Sequence, residues 1–128
     1  MIIQQELLGE IKMAAYGRAS VITYNEKVYP KICMCGSTKF KDEFLKWAKF
    51  FTLHNCIVTM PMVFGHSGDE ITEEQKKELD NLHKAKILDS HGIFVVNVNG
   101  YIGESTKSEI EFAESLGRHI MYLEEVKK

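Results

Sequence analysis

The sequence predicts an α/β protein whose core is a doubly wound parallel sheet of strand order 2-1-3-4, with helices on both faces. Three observations carry that prediction. From Lys31 onward, short apolar runs alternate with stretches of helical period, the pattern of a parallel sheet with crossover helices. The run GIFVVNV, Gly92 to Val98, is almost continuously apolar, as expected of a central strand covered on both faces. Glycine, hydroxyl and amide residues gather where strands hand over to helices, which is where such sheets bind ligands.

Taken in order, KICMCGS from Lys31 reads as a strand running into a turn. Phe40, Phe44, Trp47, Ala48 and Phe51 follow at spacings of four, three, one and three, one apolar stripe of period near 3.6. They predict a helix capped by Ser37 or Thr38, with Asp42 and Glu43 in its first turn and Asn55 as its left-handed stop. CIVTMPMVF, from Cys56, is the second strand, ending near Pro61. Gly65 to Ile71 is a polar loop. Thr72 and Gln75 then form a capping box that opens a second helix, with Leu79, Leu82 and Ile87 facing inward. GIFVVNV is the third strand. A third helix is expected from Ser105 or Thr106, carrying Ile110, Phe112, Ala113 and Leu116 before Gly117 ends it. HIMYLEE is the last strand. Right-handed crossovers join the four strands. This places the switch point between the first and third strands, flanked by Gly36 and Ser37 on one side and by Asn97, Asn99, Gly100 and Tyr101 on the other. Residues 31–128 make this domain. Residues 1–30 read as an N-terminal extension, a weak helix over Gln4 to Ala15 followed by an edge hairpin from VITY and KVY, to which the pattern assigns no role.

Composition narrows the function. The chain has 128 residues, of which 45% are hydrophobic and 27% charged, with 16 Lys and Arg against 18 Asp and Glu for a net charge of −2. One soluble domain is expected, without the basic field that draws proteins onto nucleic acid. No run approaches the ~18 apolar residues of a membrane span, and no basic and apolar leader opens the chain, so a cytoplasmic protein is expected. Cys33, Cys35 and Cys56 are an odd number, which argues for reduced thiols. Cys33 and Cys35 share one face of a strand, but no second ligand pair stands at metal-site spacing, so no metal is expected and the thiols read as small buried hydrophobes.

The candidate chemistry lies in three places. GSTKF sets Gly36 and two hydroxyls at a helix amino terminus, which favours an anion such as phosphate, although capping alone also accounts for the hydroxyls. GYIGESTKSEI, Gly100 to Ile110, holds two glycines, an aromatic, Ser105, Thr106 and Glu109. Thr106 and Glu109 have capping-box spacing, yet a glutamate at a ligand crevice also serves as a carboxylate nucleophile. His83 lies four residues from both Leu79 and Ile87 on the inward stripe of the second helix, and Asp80 three residues earlier makes the pair a candidate acid/base unit. A buried, hydrogen-bonded histidine is the plainer alternative. His54, His66, His91 and His119 read as surface or strand-end residues.

The segments KICMCGSTKF, LDNLHKAKILDSHGIFVVNVNGYIGEST and STKSEIEFA resemble the nucleoside 2-deoxyribosyltransferase-like superfamily, which also contains nucleotide N-glycoside hydrolases. The likeness spans Lys31 to about Glu124. Its most specific part is the glycine-rich loop followed by a hydroxyl pair and a glutamate three residues after the Thr. The resemblance implies a flavodoxin-like fold, no cofactor, and a homo-oligomer whose neighbours complete each pocket. It further implies a glutamate, here Glu109, that attacks the anomeric carbon of a nucleoside or nucleoside 5′-monophosphate and expels the base. The glycosyl ester would then be resolved by water or by another base. Gly36, Ser37 and Ser105 would hold the sugar or a 5′-phosphate, with Thr106 beside them, while Asn97, Asn99 and Tyr101 would line the pocket. The chain departs from the pattern at His83, where the transferases carry a second acidic residue, and at His91, where an Asp often precedes the third strand. That shifts weight from transferase toward hydrolase, or toward a non-catalytic nucleotide-binding or regulatory module.

Overall fold

The computed structural model describes residues 4–16, 21–65 and 68–126; His66 and part of the loop from Gly65 to Ile71 lie outside them. A first helix, α1 (Gln4–Tyr16), and a short antiparallel hairpin, β1 (Thr23–Tyr24) with β2 (Lys27–Val28), precede the main sheet. That sheet comprises β3 (Lys31–Gly36), β4 (Ile57–Thr59), β5 (Gly92–Val96) and β6 (His119–Tyr122) in the order β4-β3-β5-β6. Every pairing is parallel, and in the strands' own sequence this is the expected 2-1-3-4. The crossovers are α2 (Lys41–Leu53), α3 (Glu73–Leu88) and α4 (Glu104–Ser115). The fold is a doubly wound, flavodoxin-like α/β sheet.

Strand side chains alternate between the faces, and the two faces carry different helices. Ile32 and Met34 of β3 and Phe94 and Val96 of β5 join Leu7 and Ile11 of α1 and Phe44, Trp47 and Phe51 of α2 in one core. Phe94 stacks 5.1 Å from Phe51 and 5.3 Å from Trp47 between ring centroids, contacts that add specificity beyond area burial. Cys33, Cys35, Ile93 and Val95 point the other way, toward Ile87 of α3 and Ile110 and Ala113 of α4. The helix at the amino terminus therefore has a role that the local pattern did not reveal. Leu7, Ile11 and Ala15, four residues apart, are fully buried and complete the cover of the first face.

Several helix boundaries differ from expectation. Ser37 does act as a cap, accepting from the Lys39 N–H, but it caps a 3-10 turn over Thr38–Phe40 that leads into α2. The Thr72–Gln75 capping box is present with both bonds. Leu82 is 51% exposed, because the inward stripe of α3 runs through His83 and Ile87, and Leu82 lies about 100° round the helix from His83. At the far end of α4, Gly117 has φ of 69°. Arg118 and Gly117 N–H groups donate to Ala113 and Glu114 carbonyls, the paired bonds of a Schellman stop.

The start of α4 matters most for function. It opens at Glu104 with Gly103 as its N-cap and no side-chain cap bond. Thr106 lies in the first turn, buried, and Glu109 in the second. The capping box expected from Thr106 and Glu109 does not form, because the helix begins before Thr106 and leaves it no free N–H to accept from at the N-cap position.

Candidate active site

A cavity of about 680 Å³ opens at the carboxyl ends of β3, β4 and β5. Gly36, Ser37 and Thr38 contribute from the end of β3, Pro61 to Val63 from beyond β4, and Tyr101 and Gly103 to Thr106 from beyond β5. Asp80, His83 and Glu109 reach it from the helices. Gly36 is dictated by crowding: a Cβ there would stand 2.9 Å from the Val96 carbonyl oxygen and 3.2 Å from the Phe44 ring. Tyr101 sits at the rim, half exposed, with the Lys39 ammonium 3.4 Å above its ring as a cation–π pair.

On the second face of the sheet, side chains from three elements converge behind this cavity. His83 Nε2 lies 3.7 Å from Glu109 Oε1, 3.7 Å from Cys33 Sγ and 3.4 Å from Cys35 Sγ. The Glu109 side chain is 12% exposed and that of His83 is 8%. A carboxylate with so little access to water is costly to ionise. Burial raises the Glu109 pKa to about 7, helped by the charges of Cys33 and Asp80 and opposed by that of His83. Burial alone would lower the His83 pKa, but the hydrogen bond and charge of Cys33, together with Glu109, outweigh it and raise the group above its ordinary value. Asp80 acts on Glu109; the carboxylate that favours the charged imidazole is Glu109. The hydrogen bond from Cys35 holds Cys33 well below the ordinary thiol range despite its burial, whereas burial pushes Cys35 well above it. The result is a buried carboxylate, imidazole and thiol cluster in which the protonation of each group depends on that of its neighbours.

Most of the residues singled out in the sequence meet here. Gly36, Ser37, Asp80, His83, Tyr101, Ser105, Thr106 and Glu109 all line the cavity. Asn97 and Asn99 do not. Asn97 is buried, its side-chain amide donating to the Glu124 carbonyl and its oxygen accepting from the Glu124 N–H. It thus clamps the chain beyond β6. Asn99 adopts a left-handed φ of 56°, and its backbone N–H bonds the Glu124 carboxylate. Both residues are taken up by Glu124, a partner too distant in sequence for local pattern to reveal. Conversely, Cys33 and Cys35 read as packing residues but touch His83. His91, buried at the start of β5, accepts from the Lys31 N–H through Nδ1.

The fold and site together define a doubly wound α/β protein with a carboxylate–imidazole pair in the crevice at the carboxyl edge of its sheet. Comparison with protein-family models, with curated proteins and with solved structures gives no match for the chain. Among the described residues, no helix is long and apolar enough to cross a membrane.

Proposed function

We propose that the protein cleaves or exchanges the N-glycosidic bond of a nucleoside or nucleoside 5′-monophosphate, with Glu109 as nucleophile and His83 as general acid. The observation that carries this reading is the 3.7 Å contact of Glu109 with His83 in the crevice, together with the position of Glu109 in the second turn of α4, which leaves capping no claim on it. The glutamate attacks the anomeric carbon while the imidazolium donates its proton to the departing base, so the C–N bond breaks as a glycosyl ester forms. Water or a second base then displaces the ester.

Charge and reach support these roles. An ionised Glu109 beside a protonated His83 is the reactive combination: each charge favours the other, while burial opposes both. Substrate must enter between them, parting the two side chains toward the ~5–5.5 Å that retaining glycosidases keep between their catalytic groups. Gly36, Ser37 and Ser105 would receive the sugar or its 5′-phosphate. Gly103 leaves room beside Tyr101, whose hydroxyl stands 3.3 Å and whose ring 3.5 Å from where a Cβ would be, so the aromatic can lie over a bound base. The open side of the cavity, where Met62, Ile71 and Leu82 are exposed, would be covered by a second copy of the chain. Reduced thiols at all three cysteines suit a cytoplasmic enzyme.

The test is incubation with a panel of nucleosides and their monophosphates, in buffer containing a chelator, with free base followed by chromatography. Release by the wild-type chain and none by Glu109→Gln is the expected result. A panel without release would remove the enzymatic reading.

A further inference from the structure

Cys33, Cys35, His83 and Glu109 were not expected to form a metal site, because only the two cysteines are close in sequence. The fold supplies what the spacing lacks. One donor atom from each of Cys33, Cys35 and His83 lies within 4.8 Å of the others, and Glu109 Oε1, outside that group, lies 3.7 Å from the imidazole nitrogen. We propose that these four side chains bind one thiophilic divalent cation of the zinc class.

The distances fit a tetrahedral ion. With Zn–N near 2.0 Å and Zn–S near 2.3 Å, tetrahedral angles place nitrogen and sulfur about 3.5 Å apart; the observed separations are 3.4 and 3.7 Å. The same arithmetic with Zn–O near 2.0 Å gives about 3.3 Å between nitrogen and carboxylate oxygen, against 3.7 Å here; because Glu109 stands outside the group of donors within 4.8 Å of one another, its carboxylate has to swing toward the thiols to become the fourth ligand. The donors are soft sulfur, imidazole and one carboxylate, a set that selects zinc over magnesium or calcium. Cys33 and Cys35 are held on one face of a strand, and His83 and Glu109 on two helices packed against it, so the scaffold is rigid. His83 and Glu109 line the cavity, which provides the route of entry. On binding, the protons still held by the two thiols, by His83 Nε2 and by the Glu109 carboxyl pass to solvent, two Zn–S bonds, one Zn–N bond and one Zn–O bond form, and the two thiolates with the carboxylate leave the centre with a net charge of −1.

Such binding would occupy the two groups assigned to glycosidic cleavage, making the cation and the substrate mutually exclusive. Only that competition rests on the proposed reaction; the site itself rests on geometry. Reduced, metal-free protein titrated with Co²⁺ under anaerobic conditions should develop a thiolate-to-cobalt charge-transfer band with the visible bands of a tetrahedral ion, saturating at one ion per chain and displaced by Zn²⁺. Cys56 lies in the core on the opposite face of the sheet, so Cys56→Ser should keep the band, whereas the Cys33→Ser/Cys35→Ser double variant should lose it. His83→Ala, which removes a cavity-facing side chain, should weaken Zn²⁺ at least ~100-fold, beyond the usual cost of losing an outer-shell partner; should the double variant fail to fold, this variant decides. No band in the folded wild-type chain, a band that survives without Cys33 and Cys35, or unchanged Zn²⁺ affinity in His83→Ala would overturn the site. Base release in chelator is scored separately: release without a cobalt band defeats the metal site alone, and a cobalt band without release defeats the glycosidic reading alone.

Discussion

The two faces of the sheet are built to different ends. Under α1 and α2 the core is aromatic and aliphatic, with Phe44, Phe51 and Phe94 fully buried; Phe51, Phe94 and Trp47 are in mutual ring contact, and Phe44 meets Phe64 edge to face. Under α3 and α4 it is smaller, and its edge is given over to His83, Glu109, Thr106 and two thiols. Buried ionisable groups destabilise a core unless they are paired, and here they are paired with one another beside a cavity. The contrast teaches where the fold keeps stability and where it gives some up. It also explains why the aromatic stripe of α2 announced itself in the sequence while the cluster did not.

The contrast can be broken by substitution. The largest expected effect is on the second face: Glu109→Gln should lower base release by more than about 10⁴-fold, since an amide cannot supply the attacking oxygen productively. The fold should remain intact by circular dichroism. His83→Ala should cost about 10²–10⁴ in rate, the usual scale of general acid catalysis, which is about 3–5 kcal/mol on the barrier. Its loss should be smaller for bases that depart more readily. With chelator present, the wild-type profile should be bell-shaped, because release requires Glu109 ionised and His83 protonated. The rising limb belongs to Glu109, whose pKa is raised to about 7, and the falling limb to His83, whose pKa is raised above its ordinary value. A flat profile would separate the pair from the chemistry.

On the first face the currency is stability alone. Phe51→Ala should destabilise the protein by about 3–5 kcal/mol in denaturant unfolding, the cost of a cavity where a phenyl ring was, while the rate per folded molecule stays near wild type. A comparable loss of rate in the folded protein would erase the division between the faces. The smallest effect returns to Glu109. Its folded-state pKa is raised from an ordinary 4.5 to about 7, so folding is favoured with the carboxyl protonated, and that advantage is lost as pH rises through the window between those values. Glu109→Gln should therefore be more stable than wild type at pH 8, by on the order of 1–3 kcal/mol, with the difference shrinking toward pH 4. Calorimetry across that range checks it. Light scattering behind size-exclusion chromatography tests the proposed cover of the cavity: an assembly larger than one chain at micromolar concentration is expected, and a monomer there would contradict it.

How much of this was legible beforehand follows the range of the interactions. Strand order and the stripe of Phe44, Trp47 and Phe51 were readable because periodicity is local and the crossover rules leave few topologies. The role of α1 was not: Leu7, Ile11 and Ala15 repeat at helical spacing, but the core that Leu7 and Ile11 join includes Phe94 and Met121, more than 80 residues away. Asn97 was read as a pocket residue and proves to be a clamp on Glu124. Glu109 had two readings at equal spacing, cap or nucleophile, and the choice turned on a helix start displaced by a residue or two, the least certain feature of any sequence pattern. The thiols of Cys33 and Cys35 became part of the site only when α3 and α4 brought His83 and Glu109 to them.

The central claim is that Glu109 becomes covalently bonded to the sugar. The most direct test is to quench the wild-type protein in acid during turnover of whichever nucleoside releases base, digest it, and determine by mass spectrometry which peptide carries the glycosyl group. An ester on Glu109, absent from Glu109→Gln, is the expected result. Base release that continues with the sugar attached to another residue, or with no adduct under conditions that trap a slow second step, would contradict it.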